Sequence, residues 1–254
     1  MTEEFTLVGD LVARDRRSER PALHAAELDR TYSYFDLCNT AYKAGNVLSH
    51  IGVREGDRVV IDADPHPQAV FTFLGAALLG AVTEFASDID PESDARAVVV
   101  PAQREHEFDL PGGSKLVAFG GDPERPDTTH WEEEVWSENP AFPPTFHDTE
   151  DLVLRDADTD RTYSHADLLD AARETADELA LDAESRVAVR APLSDPRTVA
   201  AGVVAPLAAG GAVALPDGDA SLDATTAVVA DGRAAPEDLT LGLDAVSLSS
   251  PTPR

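Results

Sequence analysis

The sequence predicts an α/β protein made of two tandem Rossmann-like (flavodoxin-like) three-layer units with mostly parallel sheets. Three observations predict it. An ordered series of short motifs occurs twice in the 254 residues. In both copies short β-branched runs alternate with helix-length segments, the pattern of strands joined by crossover helices. Glycine and proline punctuate the two copies at corresponding places.

The repeat is the strongest of the three. Asp29-Arg30-Thr31-Tyr32-Ser33 returns as Asp160-Arg161-Thr162-Tyr163-Ser164, and Asp36-Leu37 as Asp167-Leu168. Further on, Arg58-Val59 matches Arg186-Val187, and Gly80-Ala81-Val82 matches Gly211-Ala212-Val213. Asp94-Ala95 matches Asp223-Ala224, while Asp109-Leu110, Gly113 and Val117 align with Asp238-Leu239, Gly242 and Val246. The expected organisation is a first unit over 1–120, an acidic Pro-rich linker over 121–148, and a second unit over 149–254.

Each unit opens with a short apolar strand, Ala22 to Ala25 or Leu152 to Leu154, and a polar turn. Ser33 and Ser164 then offer helix N-caps, with Asp36 and Asp167 three residues on completing capping-box-like pairs. The helices run from Tyr34 to His50, stopped by Gly52, and from His165 to Ala180. Strands follow at Arg58 to Ala63 and Arg186 to Arg190. A second helix begins after a Pro-containing turn, with Asp195 as cap and Pro196 as first helical residue in the second copy. Gly80 and Gly210-Gly211 end these helices. The remaining strands are Ala81 to Phe85, Ala97 to Val100 and Lys115 to Phe119, with counterparts Ala212 to Leu215, Ala227 to Ala230 and Asp244 to Leu248. In the linker, Asn139-Pro140 and Pro143-Pro144 break helices, and His130 to Trp136 suits a helical turn or two. Trp131 and Trp136 are expected to clasp the two units together, a ligand-stacking role being the other reading. Ser249 to Arg254 read as a frayed tail.

Composition narrows function. Lys and Arg number 20 against 48 Asp and Glu, a net charge of −28. No basic stripe exists for nucleic acid, and anionic membranes are disfavoured for the same reason. The acids spread along the whole chain, and lysine occurs only at Lys43 and Lys115. Both facts favour a surface adapted to molar salt over an acidic patch for a basic partner. A hydrophobic fraction of 43% with mean hydropathy −0.22 allows a packed core, and no apolar run reaches the roughly 20 residues of a membrane span. Met1 to Phe5 lack the order of a signal peptide, so a cytoplasmic location is expected. Cys38 is the single cysteine, read as a small buried apolar residue.

The repeated residues also carry an outside resemblance. Arg30-Thr31-Tyr32-Ser33-Tyr34-Phe35-Asp36-Leu37 resembles the opening motif of the AMP-dependent synthetase/ligase superfamily, the adenylate-forming enzymes that include acyl-CoA synthetases. Gly52-Val53, Gly56-Asp57-Arg58-Val59, Leu79-Gly80-Ala81-Val82 and Ala209 to Val213 with Leu215-Pro216 follow in the family's order. The resemblance implies the fold of the N-terminal domain of those enzymes, with the first subdomain in two diverged copies. An alternative alignment makes the second copy the family's own second subdomain, on His165-Ala166-Asp167-Leu168 and Ala191-Pro192-Leu193.

The family's ATP-handling residues have no counterpart. Its phosphate loop is rich in Ser, Thr and Gly and ends Pro-Lys-Gly; the only candidate region, Asp156 to Ser164, has neither Gly nor Lys, and three Asp that repel phosphate. The Tyr-Gly-x-Thr-Glu and Thr-Gly-Asp motifs and the C-terminal domain with its adenylation lysine find no match in these residues, and Lys43 and Lys115 stand in the wrong contexts. Adenylation needs positive charge on the developing pentacovalent phosphate. No catalytic residue, cofactor-binding residue or metal ligand is therefore assigned. The seven His show no His-x₃-His spacing, and His106-Glu107 and His147-Asp148 read as solvated loops. No Gly-x-Ser-x-Gly setting supports a hydrolase. Arg58 and Arg186 are expected to pair with a local acid. By fold analogy, ligands would sit beyond the strand ends at Asp64-Pro65-His66 and Pro192-Leu193-Ser194-Asp195. The expected role is a non-catalytic protein partner, a full-length ligase being one candidate to receive it. The alternatives are a binder of an acyl, CoA or adenine moiety, and, last, an active ligase.

Overall fold

The computed structural model describes residues 5–142, 145–218 and 223–249. The Pro143-Pro144 pair and the tail residues 250–254 lie outside them. Two mostly parallel sheets organise the chain. The first half contributes β1 (Pro21–Ala25), β2 (Arg30–Ser33), α1 (Tyr34–His50), β3 (Arg58–Asp62), α2 (Pro67–Leu79), β4 (Val82–Ala86), β5 (Ala97–Pro101) and β6 (Lys115–Phe119). The linker adds β7 (Thr129–His130) and α3 (Trp131–Ser137). The second half contributes β8 (Leu152–Asp156), β9 (Thr162–Ser164), α4 (His165–Glu178), β10 (Arg186–Arg190), α5 (Pro196–Thr198), a π-helical run Val199–Val204, α6 (Ala205–Ala208), β11 (Ala212–Leu215), β12 (Thr226–Val229) and β13 (Leu239–Gly242). Pro206 has no N–H to donate, which suits the widened π turn just before it.

The capping pairs form as the sequence predicts. Ser33 Oγ accepts from Asp36 N–H at 3.1 Å while Ser33 N–H donates to the Asp36 carboxylate at 3.0 Å. Ser164 and Asp167 repeat the exchange at 3.2 and 2.8 Å. Asp195 caps α5 by accepting from Arg197 N–H.

The strand order of one sheet is β13-β12-β10-β11-β1-β2, and of the other β7-β6-β5-β3-β4-β8-β9. Each sequence repeat therefore lends its opening hairpin to the other repeat's sheet. β1 runs parallel to β11, with Leu23 opposite Val213, and β8 runs parallel to β4, with Leu154 opposite Thr83. Residues of both halves pool in one core, Val59, Ile61, Phe71 and Leu37 with Leu168, Val189, Val199 and Val213. Period-two alternation sends Val60, Val98 and Val100 to the opposite face of the second sheet, where Phe108 and Leu116 cover them.

Four sequence expectations change. The polar turns are hairpin turns, and their return strands β2 and β9 are too short and polar to announce themselves; Asp29 (φ 46°) and Asp160 (φ 59°) take the left-handed position in each. The last strand is Leu239–Gly242, because its register on β12 sets Thr226 opposite Leu239; the start of the expected strand, Asp244 to Leu248, falls in a 3-10 turn, Leu243–Ala245. The glycines also shift by one: Arg58 faces Val82 and Arg186 faces Ala212, so Gly80 corresponds to Gly210, both at φ 76°. Finally, Trp131 is buried, stacked on Phe71 at 6.2 Å and bonded to Thr72 Oγ1 at 2.9 Å, but Trp136 is 83% exposed and clasps nothing between the units.

Candidate functional site

The two loops expected from fold analogy meet. Leu193 N–H donates to Ala63 O at 3.1 Å, so the carboxyl ends of β3 and β10 abut. Those ends are closed by internal ion pairs. Asp62 is buried and bonded to Arg104. At the corresponding position of the second repeat, Arg190 makes a bidentate pair with Glu237 at 2.8 and 2.7 Å, with side chains 8% and 1% exposed. Opposite charges at equivalent places are each neutralised within their own half.

Beside this junction, a cleft of about 540 Å³ lies between the β8–β9 turn and the loop entering α5. Asp156, Asp158, Thr159, Arg161, Tyr163, Ser194, Asp195 and Arg197 line it. It joins the region expected for a phosphate loop to one of the two strand-end loops. The turn's N–H groups and the guanidinium of Arg197, however, are already used. The Asp156 carboxylate accepts from Asp158 N–H (2.9 Å), Thr159 N–H (3.3 Å) and Thr159 Oγ1 (2.6 Å), an Asx-type turn that satisfies its own N–H groups. Arg197 is held by Asp195 at 3.0 and 2.6 Å and by Leu243 O. Arg155, on the strand leading in, is held by Glu84 at 2.7 Å and by Asp160. Arg161 stands exposed at the rim, beside the exposed Asp158 and Thr159. Burial raises the Tyr163 phenol above its usual value, so it stays protonated. The cleft offers an anion in place of an anion cradle.

The other expected groups fall as follows. Arg58 pairs with Glu84 at 3.2 Å and with Asp94, and Arg186 pairs with Asp223. His66 packs edge-on against Phe119, 3.7 Å from Glu27. His106 is exposed. Cys38 is fully buried and burial pushes its thiol up to about 11, which leaves it inert. Lys43 donates to Trp136 O at 3.3 Å, and Lys115 is exposed at the start of β6.

Sequence reasoning missed a second cleft of about 500 Å³ on the first half, at the place equivalent to the acidic one. Tyr32, Phe71, Trp131 and Trp136 wall it, with Arg30 and Lys43 on its lining. Asn39 Oδ1 and Gln68 Oε1 are buried there without hydrogen-bond partners. The two tryptophans were the available signal, but no local pattern tells which aromatic rings converge.

Comparison with known proteins agrees with this architecture. Residues 12–103 match the family model described as AMP-binding enzyme. A 4-coumarate--CoA ligase of Vanilla planifolia is 33% identical over 70 residues, 28% of this chain and 13% of that relative. The anthranilate CoA ligase AuaEII, solved in complex with anthranoyl-AMP, superposes with a TM-score of 0.75 at 18% identity over 87% of this chain and 49% of that one. The N-terminal domain of FACL13 from Mycobacterium tuberculosis superposes with a TM-score of 0.73 at 16% identity, over 88% of this chain and 62% of that one. Both halves together superpose on that domain. The chain spans about half the length of the ligase AuaEII and far less of the curated relative. With its two hairpin-exchanging sheets, the chain has the fold of the N-terminal domain of adenylate-forming enzymes, and its first half is similar in sequence to the AMP-binding enzyme family.

Proposed function

We propose that this chain is a non-catalytic member of the superfamily that serves as an interaction or regulatory partner of another protein in a salt-rich cytoplasm. One observation carries the reading. Where the family's phosphate loop would present free N–H groups, the Asp156 carboxylate already takes two of them, and the nearby arginines are bound to acids. An ATP phosphate arriving there would meet Asp156, Asp158 and Asp160 with no lysine to offset them. The exposed aromatic surface at Trp136 and Phe146, 83% and 92% exposed, supports a partner-facing role. A full-length ligase is the candidate partner. The test is co-purification of the tagged chain from its native host in molar KCl. A ligase of the same superfamily retained in stoichiometric amount, and lost with Trp136→Ser, supports the reading; a chain that elutes alone in repeated trials contradicts it.

The aromatic cleft supports a second reading, a binder of an acyl, CoA or adenine moiety, because buried acceptors at Asn39 and Gln68 await donors there. Thermal shift with those ligands separates the two readings. Substrate-dependent pyrophosphate release would overturn both.

A further inference from the structure

The two halves are built alike, so a place where one carries a group that the other lacks is informative. In the second half, the turns at Ala183 and Gly210 are bridged by Arg20, which donates to both carbonyls, to Gly210 O at 2.8 Å. Tyr34 reaches into the same place and donates to Gly211 O at 2.8 Å. The corresponding turns of the first half are Glu55 and Gly80, by the strand registers given above. The residue corresponding to Arg20 is Asp151: Tyr34 N–H donates to Arg20 O at 2.8 Å, and His165 N–H to Asp151 O at 3.1 Å. A guanidinium in one junction is thus a carboxylate in the other, and the facing turn adds a second carboxylate, Glu55.

His147 fills the remaining space. Its Nε2 lies 3.3 Å from Leu78 O, which makes Nε2–H the donor, so that in the neutral imidazole Nδ1 carries the lone pair. That Nδ1 is buried and has no hydrogen-bond partner. Gly80 makes room for it: a Cβ there would lie 2.4 Å from His147 Cε1, 2.9 Å from Nδ1 and 3.1 Å from Glu55 Cγ. One ligand atom each from Glu55, His147 and Asp151 lies within 4.8 Å of the other two. Among the described residues no Lys or Arg forms an ion pair with either carboxylate. Asp148 N–H donates to the Asp151 carboxylate at 2.8 Å, a neutral partner that leaves its charge unpaired; an unpartnered imidazole nitrogen and two carboxylates that converge with no cationic side chain paired to them are the complement of a cation.

We infer that Glu55, His147 and Asp151 bind one divalent first-row transition cation of the zinc class, which takes the place that the Arg20 guanidinium holds in the other half. An imidazole ligand favours such ions over Mg²⁺ or Ca²⁺. Three protein ligands, one of them on the exposed Glu55, leave a position for water. The Leu78 carbonyl is the outer-shell group that orients the imidazole. The ion fastens the segment that leads into β8 to the turn before β3, so it secures the exchanged hairpin. This inference is independent of the proposed function.

The test is calorimetric titration of the whole chain with Zn²⁺ in molar KCl, together with the unfolding midpoint. The expected result is one Zn²⁺ per chain and a raised midpoint, with no shift from Mg²⁺ at the same concentration. Glu55→Gln, Asp151→Asn and His147→Gln each weaken this binding by about 100-fold or more, beyond what loss of an outer-shell partner does, whereas His106→Ala leaves it unchanged. Because Glu55 is exposed, Glu55→Gln keeps the fold and reads binding alone. No stoichiometric Zn²⁺, or Zn²⁺ whose affinity is the same in Glu55→Gln and Asp151→Asn, overturns the inference and assigns any uptake to the acidic surface at large.

Discussion

Single residues decide both the local stability of this fold and its chemistry. Asp156 holds the β8–β9 turn through two backbone N–H groups and a hydroxyl. Asp156→Ala should therefore cost about 1 kcal/mol, read as a lower urea midpoint at unchanged slope. Arg190 and Glu237 are buried partners. Arg190→Met leaves Glu237 without its cation and should cost about 3–5 kcal/mol, much of it recovered when Glu237→Leu is added. Ala180 (φ 49°) follows α4 where Gly52 (φ 98°) follows α1. Ala180→Gly should stabilise by about 0.5–1 kcal/mol, since relief of the left-handed strain exceeds the entropy that glycine adds to the unfolded chain. Differential scanning calorimetry checks the sign.

At the scale of elements, local signals were legible and long-range ones were not. The capping pairs Ser33–Asp36 and Ser164–Asp167 stand three residues apart, so the helix starts could be read directly. The exchange of hairpins could not. β1 meets β11 across nearly 190 residues of chain, with Leu23 opposite Val213, and no local pattern encodes the choice of sheet. The candidate site was half legible: the strand-end loops were placed by analogy, but the turn's self-satisfaction depends on where the Asp156 carboxylate points. The linker is similarly fixed by one side chain. Glu105 is buried; that burial raises its pKa, but bonds from Thr128, the N–H groups of Glu124 and Arg125, and the Arg125 guanidinium outweigh it and bring the carboxyl down to about 2. A carboxylate lowered on folding adds stability above its unfolded pKa near 4.5 and loses it as pH falls toward 2. Glu105→Gln should flatten the acid limb of stability between those values and cost about 2 kcal/mol at neutral pH, as pH-dependent urea melts would show.

For the whole molecule, charge and fold carry separate messages. A net charge of −28 on 254 residues repels itself unless screened. The unfolding midpoint should rise steadily from about 0.2 to 2 M KCl as the Debye length falls toward a few ångströms. Among the described residues no helix is long and apolar enough to cross a membrane. The fold is that of the N-terminal domain of adenylate-forming enzymes, yet the two strand ends are closed by the chain's own ion pairs and the turn beside them by its own hydrogen bonds. The most direct test of that account is thermal unfolding in molar KCl with and without ATP and Mg²⁺. The account predicts no change in midpoint at millimolar ATP. A saturable rise, reaching about 2.7 kcal/mol at a hundredfold excess over the dissociation constant, would contradict it and make the chain a nucleotide binder.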